Sequence, residues 1–181
     1  MNKPQIKVAT IDLYNNERNE GMRCIKEIVA DAGIKNSNID LKYDVFETRY
    51  KGDVPDLSYD IFISSGGPGS PFEDEKKQWD KDYFTLLDKI WNHNQTSEQK
   101  KYIFFICHSF QMMARFFQFG EVNQRFINSF GVMPFLKTDE GKNDTILKDL
   151  KNPFYAADIR HWQVVKKKKK KIDEFGAKIL S

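Results

Sequence analysis

The sequence is poor in the residues that staple a chain or bind metals. It has two cysteines, Cys24 and Cys107, and three histidines, His93, His108 and His161, among 181 residues. Two cysteines do not make a disulfide framework, which fits a reducing compartment. None of these residues shows metal-ligand spacing, so no metal is expected. No apolar run is long enough to cross a bilayer. Met1-Asn2-Lys3-Pro4 lacks the apolar segment of a signal peptide, and a cytoplasmic protein without a membrane partner is expected. No internal repeat is evident. Excess charge of one sign is also missing, with 29 basic against 26 acidic residues. Six of the basic ones form the run Lys166 to Lys171, and removing them from the 29 leaves 23 against 26. The chain is therefore not basic throughout, and no nucleic-acid partner is expected. Six adjacent like charges repel, so the run itself is read as a solvated tract. A docking patch for an acidic partner or nucleotide is the alternative.

A hydrophobic content of 40% over this length supports one domain with a real core. Ile6 to Leu13, Leu41 to Thr48 and Leu57 to Ser65 read as strands. Between the first two, Ile25, Ile28, Val29 and Ala32 form a helical stripe ending near Gly33, with Cys24 packed beside it. Phe72 to Lys81 reads as a polar, mobile segment. Trp79, Tyr83, Leu86, Leu87, Ile90 and Trp91 mark one face of a long helix that ends at Asn92 to Ser97. His93 then falls in a solvated loop. Arg125 to Thr138 reads as short strands or a hairpin on the sheet edge. Phe154 to Val165 reads as a strand pair, and Glu174 to Leu180 as a strand or chain end. Helices interleaved with the early strands predict an α/β class with a mainly parallel sheet.

The stretch that organises the rest is Tyr102 to Ile106, a buried parallel strand by composition, running into a helix marked by Phe110, Met113, Ala114 and Phe117. Cys107 sits at the junction. A strand-to-helix elbow presents one side chain at a helix N-terminus, where unpaired N–H groups and the dipole favour thiolate. A packed structural thiol is the alternative reading. A second strand, Tyr59 to Ser65, ends in Gly66-Gly67-Pro68-Gly69, whose backbone can turn N–H groups into a site. A thiolate attacking an amide needs such donors for the oxyanion. Both loops follow the C-terminal ends of strands, where open α/β sheets place their sites.

This pairing resembles the class I (triad-type) glutamine amidotransferase domain. Family members have a Gly-Gly-Pro-Gly loop after one strand and a Gly-x-Cys-x-Gly-x-Gln elbow after the next. Here the elbow reads Phe105-Ile106-Cys107-His108-Ser109-Phe110-Gln111, with Phe105 and Ser109 in place of the two glycines. A third segment, Asp158-Ile159-Arg160-His161-Trp162-Gln163-Val164-Val165, is similar to the family's glutamine-holding strand. Arg160 stands there for a serine and Gln163 for an aspartate. The resemblance covers nearly the whole chain, and the wording around the elbow looks most like GMP synthase-like amidotransferases. It implies a three-layer open sheet of the flavodoxin-like kind, flanked by helices, with residues 1–181 forming a single amidotransferase-like domain. It implies no cofactor.

The implied reaction is hydrolysis of the glutamine side-chain amide. Cys107 attacks the carbonyl, a thioester forms, ammonia leaves and water releases glutamate. The resemblance assigns the oxyanion hole to the backbone N–H groups of Gly67 and His108. Gln111, His161 and Trp162 would line the glutamine pocket, and a synthetase domain or subunit would take the ammonia. The family's base is a His in a His-x-Glu motif, and none of His93, His108 and His161 is followed by x-Glu. A segment missing beyond Ser181 is the expectation. A non-catalytic binding or regulatory relative is the alternative, and another Cys-elbow enzyme on the same fold is a third.

Overall fold

Four short apolar segments lie side by side in the computed structural model, which describes residues 3–181. They are β1 (Gln5–Ile11), β2 (Asp40–Phe46), β3 (Ile61–Ser64) and β4 (Tyr102–Phe105), all parallel, in the order β2-β1-β3-β4. Parallel neighbours need long crossovers. Helix α1 (Glu20–Lys35) links β1 to β2, the single turn α2 (Thr48–Lys51) lies between β2 and β3, and α3 (Gln78–Thr96) links β3 to β4. The chain divides into two compact units, Met1–Met113, which holds this sheet, and Ala114–Ser181.

The sheet's period of two sorts its side chains onto two covered faces. Val8, Ile61 and Ile63 pack with Met22, Ile25 and Val29 of α1. The alternate residues Phe62 and Ser64 are fully buried on the other face. There the Ser64 Oγ and the Tyr83 hydroxyl of α3 are hydrogen-bonded at 2.9 Å. Tyr83, Leu86, Leu87 and Ile90 form the buried side of α3. The result is the expected α/β sheet flanked by helices.

Several local expectations are corrected. The buried stripe of α1 runs Met22, Ile25, Val29, leaving Ile28 66% exposed. Cys24 is exposed rather than packed, because it lies one residue off that stripe. The helix passes through Gly33 and stops at Asn36, whose N–H and side-chain amide both bond the Ala32 carbonyl. Helix α3 continues to Thr96, so His93 is in its last turn, with Nε2 2.8 Å from the Gln99 carbonyl. The segment 72–81 is not a loose polar stretch. It folds into hydrogen-bonded turns around the buried Asp74 and enters α3 at Gln78. Strand β4 is parallel as expected but not buried, because it is the edge strand, and Tyr102 and Phe104 are 65% and 58% exposed.

Helix α4 (His108–Phe116) begins in the first unit, and the boundary falls within it. In the second unit, β5 (Glu121–Phe135) pairs antiparallel with β6 (Phe154–Val165), with a register shift between Gln124 and Ser129. The two form their own sheet rather than an addition to the parallel edge, and each is one long strand. Short helices α5 (Asp139–Asn143) and α6 (Lys169–Glu174) complete the unit. Residues 175–181 carry no strand and return to Thr138, whose N–H donates to the Leu180 carbonyl. A Cβ on Gly141 would lie 2.0 Å from that carbonyl oxygen, so only glycine fits there. Lys166 to Lys170 are exposed, and the run's second half begins α6. Among the described residues, no helix is long and apolar enough to cross a membrane.

Tyr83 supplies the clearest stability test of the sheet–helix contact. Tyr83→Phe strips the partner from the buried Ser64 hydroxyl and is expected to cost about 1–3 kcal/mol in urea unfolding. Adding Ser64→Ala should recover part of that loss, because the stranded hydroxyl is then gone.

Candidate active site

The site is built where β1, β3 and β4 end on the same edge of the sheet. Leaving β4, the chain reaches Cys107 at φ 51°, a left-handed conformation that costs an L-residue about 1–2 kcal/mol. That turn exposes the thiol and starts α4 at the next residue. The Gln111 N–H closes the first helical bond onto the Cys107 carbonyl at 3.1 Å. Ser109, fully buried, locks the elbow. Its Oγ accepts from the Ile106 N–H at 2.8 Å and donates to the Ser64 carbonyl at 2.7 Å, tying β4 to the end of β3. Phe105 is half-buried in register with Ser64, and the elbow forms with it in place.

The glycine loop after β3 lies against this elbow. A Cβ at Gly66 would lie 3.7 Å from the Cys107 Cβ, and one at Gly67 would lie 2.5 Å from the Leu13 carbonyl oxygen. Neither position has room for a side chain beyond contact with its neighbours. The end of β1 is knitted to the same loop. The Leu13 N–H donates to Ser65 Oγ at 2.9 Å, and that hydroxyl donates to the Gly66 carbonyl at 2.8 Å.

Below the loop sits a buried cation. Arg49, in the turn after β2, is 7% exposed. Its Nη1 donates to the Pro68 carbonyl at 2.7 Å, its Nε pairs with Asp74 at 3.0 Å, and its Nη2 pairs with Glu73. The Trp79 ring lies 5.6 Å from the guanidinium carbon. Glu73 also accepts the Ser70 N–H at 2.9 Å. Burial pushes the Asp74 carboxyl up, but Lys77 and Arg49 outweigh it and hold the carboxyl below its ordinary value. One guanidinium thus fixes the glycine loop from beneath.

A phenol lies against the glycine loop as well. Tyr14 follows β1 and is half-buried. Asn15 and Asn16, at φ 54° and 63°, turn the chain back so that Asn19 caps α1 beside it. A Cβ on Gly66 would lie 2.8 Å from the Tyr14 hydroxyl oxygen. Burial pushes this phenol above its ordinary value, the charges of Cys107 and Asp12 act in the same direction, and a hydrogen bond from Asn19 opposes them.

Four of the expected site residues are therefore placed within one sheet edge: Cys107, Gly67, His108 and Gln111. His108 and Gln111 are buried in the first turns of α4. His161 and Trp162 lie on β6 of the second unit, with His161 exposed and Trp162 opposite Gln124. The sequence reading missed Arg49, Asp74 and Tyr14. Tyr14 was detectable by the rule that flagged the other two loops, since it follows the C-terminal end of a strand. Arg49 was hidden by extending the second strand through Thr48. Among the described residues, no cluster of three or more His, Cys, Asp or Glu could hold a metal ion.

No protein-family model and no curated protein matches this sequence. Solved structures do match. The chain is similar to a glutamine amidotransferase from Thermotoga maritima, with TM-score 0.67 and 17% identity, over 90% of this chain and 64% of that one. It is also similar to a glutamine amidotransferase from Methylobacillus flagellatus, with TM-score 0.56 and 12% identity, over 91% of this chain and 58% of that one. It thus shares their fold while spanning less than two thirds of their length.

Removing the guanidinium should unfasten the loop. Arg49→Met leaves Asp74 with Lys77 as its remaining ion pair and strips the Pro68 carbonyl and Glu73 of their donor, and is expected to cost about 1–3 kcal/mol in urea unfolding. The pH dependence has a definite sign. A carboxyl held low in the folded state stabilises at neutral pH, and that stability is lost as pH falls through its folded value. Wild type should therefore lose stability on acidification below the usual carboxylate range. Asp74→Asn should start less stable and lose less over the same range.

Proposed function

We propose that this chain is a glutamine amidotransferase (glutaminase) domain that releases ammonia from glutamine through a thioester on Cys107. The observation that carries the reading is Cys107 itself: a non-glycine residue held at φ 51° between a parallel strand and a helix, against Gly66 of the glycine loop. Strained backbone that exposes a thiol at a helix start serves a nucleophile and does nothing for packing. The backbone N–H groups of Gly67 and His108 flank it as the oxyanion donors. Their donors would stabilise the charge that develops on the amide oxygen, and a loop pinned by Arg49 needs no reorganisation as it does so. The resemblance adds Gln111, His161 and Trp162 as the glutamine pocket, a synthetase as ammonia acceptor, and a GMP synthase-like setting. The similar solved structures support the fold on which this reading rests.

The acid–base partner is the open part of the mechanism. The thiol must lose a proton and the leaving nitrogen must gain one, and positioned acid–base catalysis typically contributes about 10²–10⁴-fold. No His-x-Glu occurs in residues 1–181. A non-catalytic, glutamine-binding domain is the second reading, favoured by this and by Phe105 in place of the family glycine.

A glutamine-analogue electrophile separates the readings. It should label Cys107 and spare Cys24, as shown by peptide mapping, and free glutamine should slow the labelling. Preferential labelling of Cys24 would sink the assignment. Residues 1–181 alone should form glutamate about 10²–10⁴-fold more slowly than the same chain supplied with a positioned base. Cys107→Ala should remove what activity there is.

A further inference from the structure

We propose that the open face of the β5–β6 ribbon is a docking surface for a second copy of this chain. This goes beyond the glutaminase reading and does not rest on it. The register of the ribbon sorts its side chains. Phe130 pairs with Ile159, Val132 with Ala157 and Pro134 with Tyr155, and by the period of two these six share one face. All six are exposed, the four larger ones by 59% at Ile159 to 80% at Phe130.

The alternate residues form the other face. There Phe135 stacks on Phe154 with ring centroids 5.5 Å apart. Asp158 is buried, accepts a hydrogen bond from the Ser129 hydroxyl at 2.8 Å and pairs with Arg160. The usual polarity is thus inverted. An antiparallel sheet with one solvated face turns its polar side chains to water. Here the polar network sits on the covered face. Within the three pairs the open face carries no charge, and its one hydrogen-bonding side chain is Tyr155.

The occupant follows from charge, shape and area. The second unit is basic, with 14 Lys and Arg against 8 Asp and Glu in residues 114–181. None of that charge falls within the patch, so the patch selects neither an acidic nor a basic partner. An uncharged face fits another uncharged face, and a two-fold axis supplies one from a second copy. Turned over about an axis along the strands, that copy sets Phe130 against Ile159, Val132 against Ala157 and Tyr155 against Pro134. A larger side chain then meets a smaller one at each level, as interdigitation of sheets about 10 Å apart requires. The two aromatics bring about 150–250 Å² each when covered, and with four smaller side chains the patch is on the order of 600 Å². That is the top of the range of about 300–600 Å² for the largest apolar patch on a monomer. Two such faces together give about 1,200 Å², where stable specific interfaces begin.

Sedimentation velocity over a concentration series is the test. The chain should form dimers with a micromolar dissociation constant, as interfaces at the small end of the range do. Val132→Glu puts a carboxylate at the centre of each face and should raise that constant at least about 100-fold. Val132 is 69% exposed in the single chain, so the variant should keep its far-ultraviolet circular dichroism. Should it unfold nonetheless, Tyr155→Lys at the end of the patch gives the same readout. Ile28→Glu, at an exposed apolar position of α1, should leave the dimer intact. A wild-type chain that stays monomeric at about 100 μM overturns the proposal. So does a dimer that both ribbon variants leave unchanged, or open-ended aggregation without a dimer. A monomer retained on phosphatidylcholine vesicles, and released by Val132→Glu, would give the face to a membrane and overturn the second copy. None of these measurements involves Cys107 or glutamine, so either reading can fail without the other.

Discussion

The buried guanidinium of Arg49 is the interaction on which the rest of this edge depends. Three of its nitrogens are committed: one to the backbone carbonyl of Pro68, one to Glu73 and one to Asp74. A lysine could not replace it, because a single ammonium cannot span three acceptors in a fixed plane. Buried charge of this kind does little for net stability, since desolvation offsets most of the attraction. What it provides is position. The glycine loop has few side chains with which to hold itself, so its geometry must be imposed from below. Glu73 serves both ends of the arrangement, pairing with Arg49 and accepting the Ser70 N–H of the same loop.

Cys107 shows the complementary strategy. Here the chain is strained at the candidate residue and over-determined around it. Ser109 stands where the similar family has a glycine, and its hydroxyl turns that difference into two bonds across the β3–β4 junction. The left-handed backbone of Cys107 is thereby held by bonds made on both sides, from the Ile106 N–H before it to the Gln111 N–H after it. Phe105, the second departure, is half-buried at the end of β4 in register with Ser64.

The architecture of the parallel sheet was legible because its strands and helices have different periods. The apolar alternation of β1 and the stripe on α3 place them without tertiary information. The elbow and the glycine loop were legible because their chemistry is local. The missed features are those made by tertiary contact. Ile28 continues the stripe of α1 by spacing, yet Met22 takes the buried place, since the angle at which the helix lies on the sheet is not written in its own period. Asp74 sits among Glu73, Glu75, Lys76 and Lys77 and looks solvated. Only Arg49, 25 residues earlier, makes it a core residue. The edge position of β4 was unreadable for the same reason, because an apolar strand has the same composition with one neighbour or two. The long strands β5 and β6 were broken up in the reading by Gly131 and Pro134. A two-stranded ribbon tolerates both, having a free edge on each strand.

On the proposed reading, the functional burden falls in the first unit on groups that do not move protons between themselves. The proposed oxyanion donors are backbone amides, and the glycine loop is held by a buried guanidinium. Such a site is prepared to bind and stabilise negative charge before any substrate arrives. It can lower the energy of a thiolate and of a tetrahedral oxyanion, both of which are anions at fixed points. It cannot by those means return a proton to a leaving nitrogen, which requires a group that titrates near the working pH. Preparation for charge and handling of protons are therefore separable demands, and on the proposed reading the edge formed by β1, β3 and β4 serves the first of them.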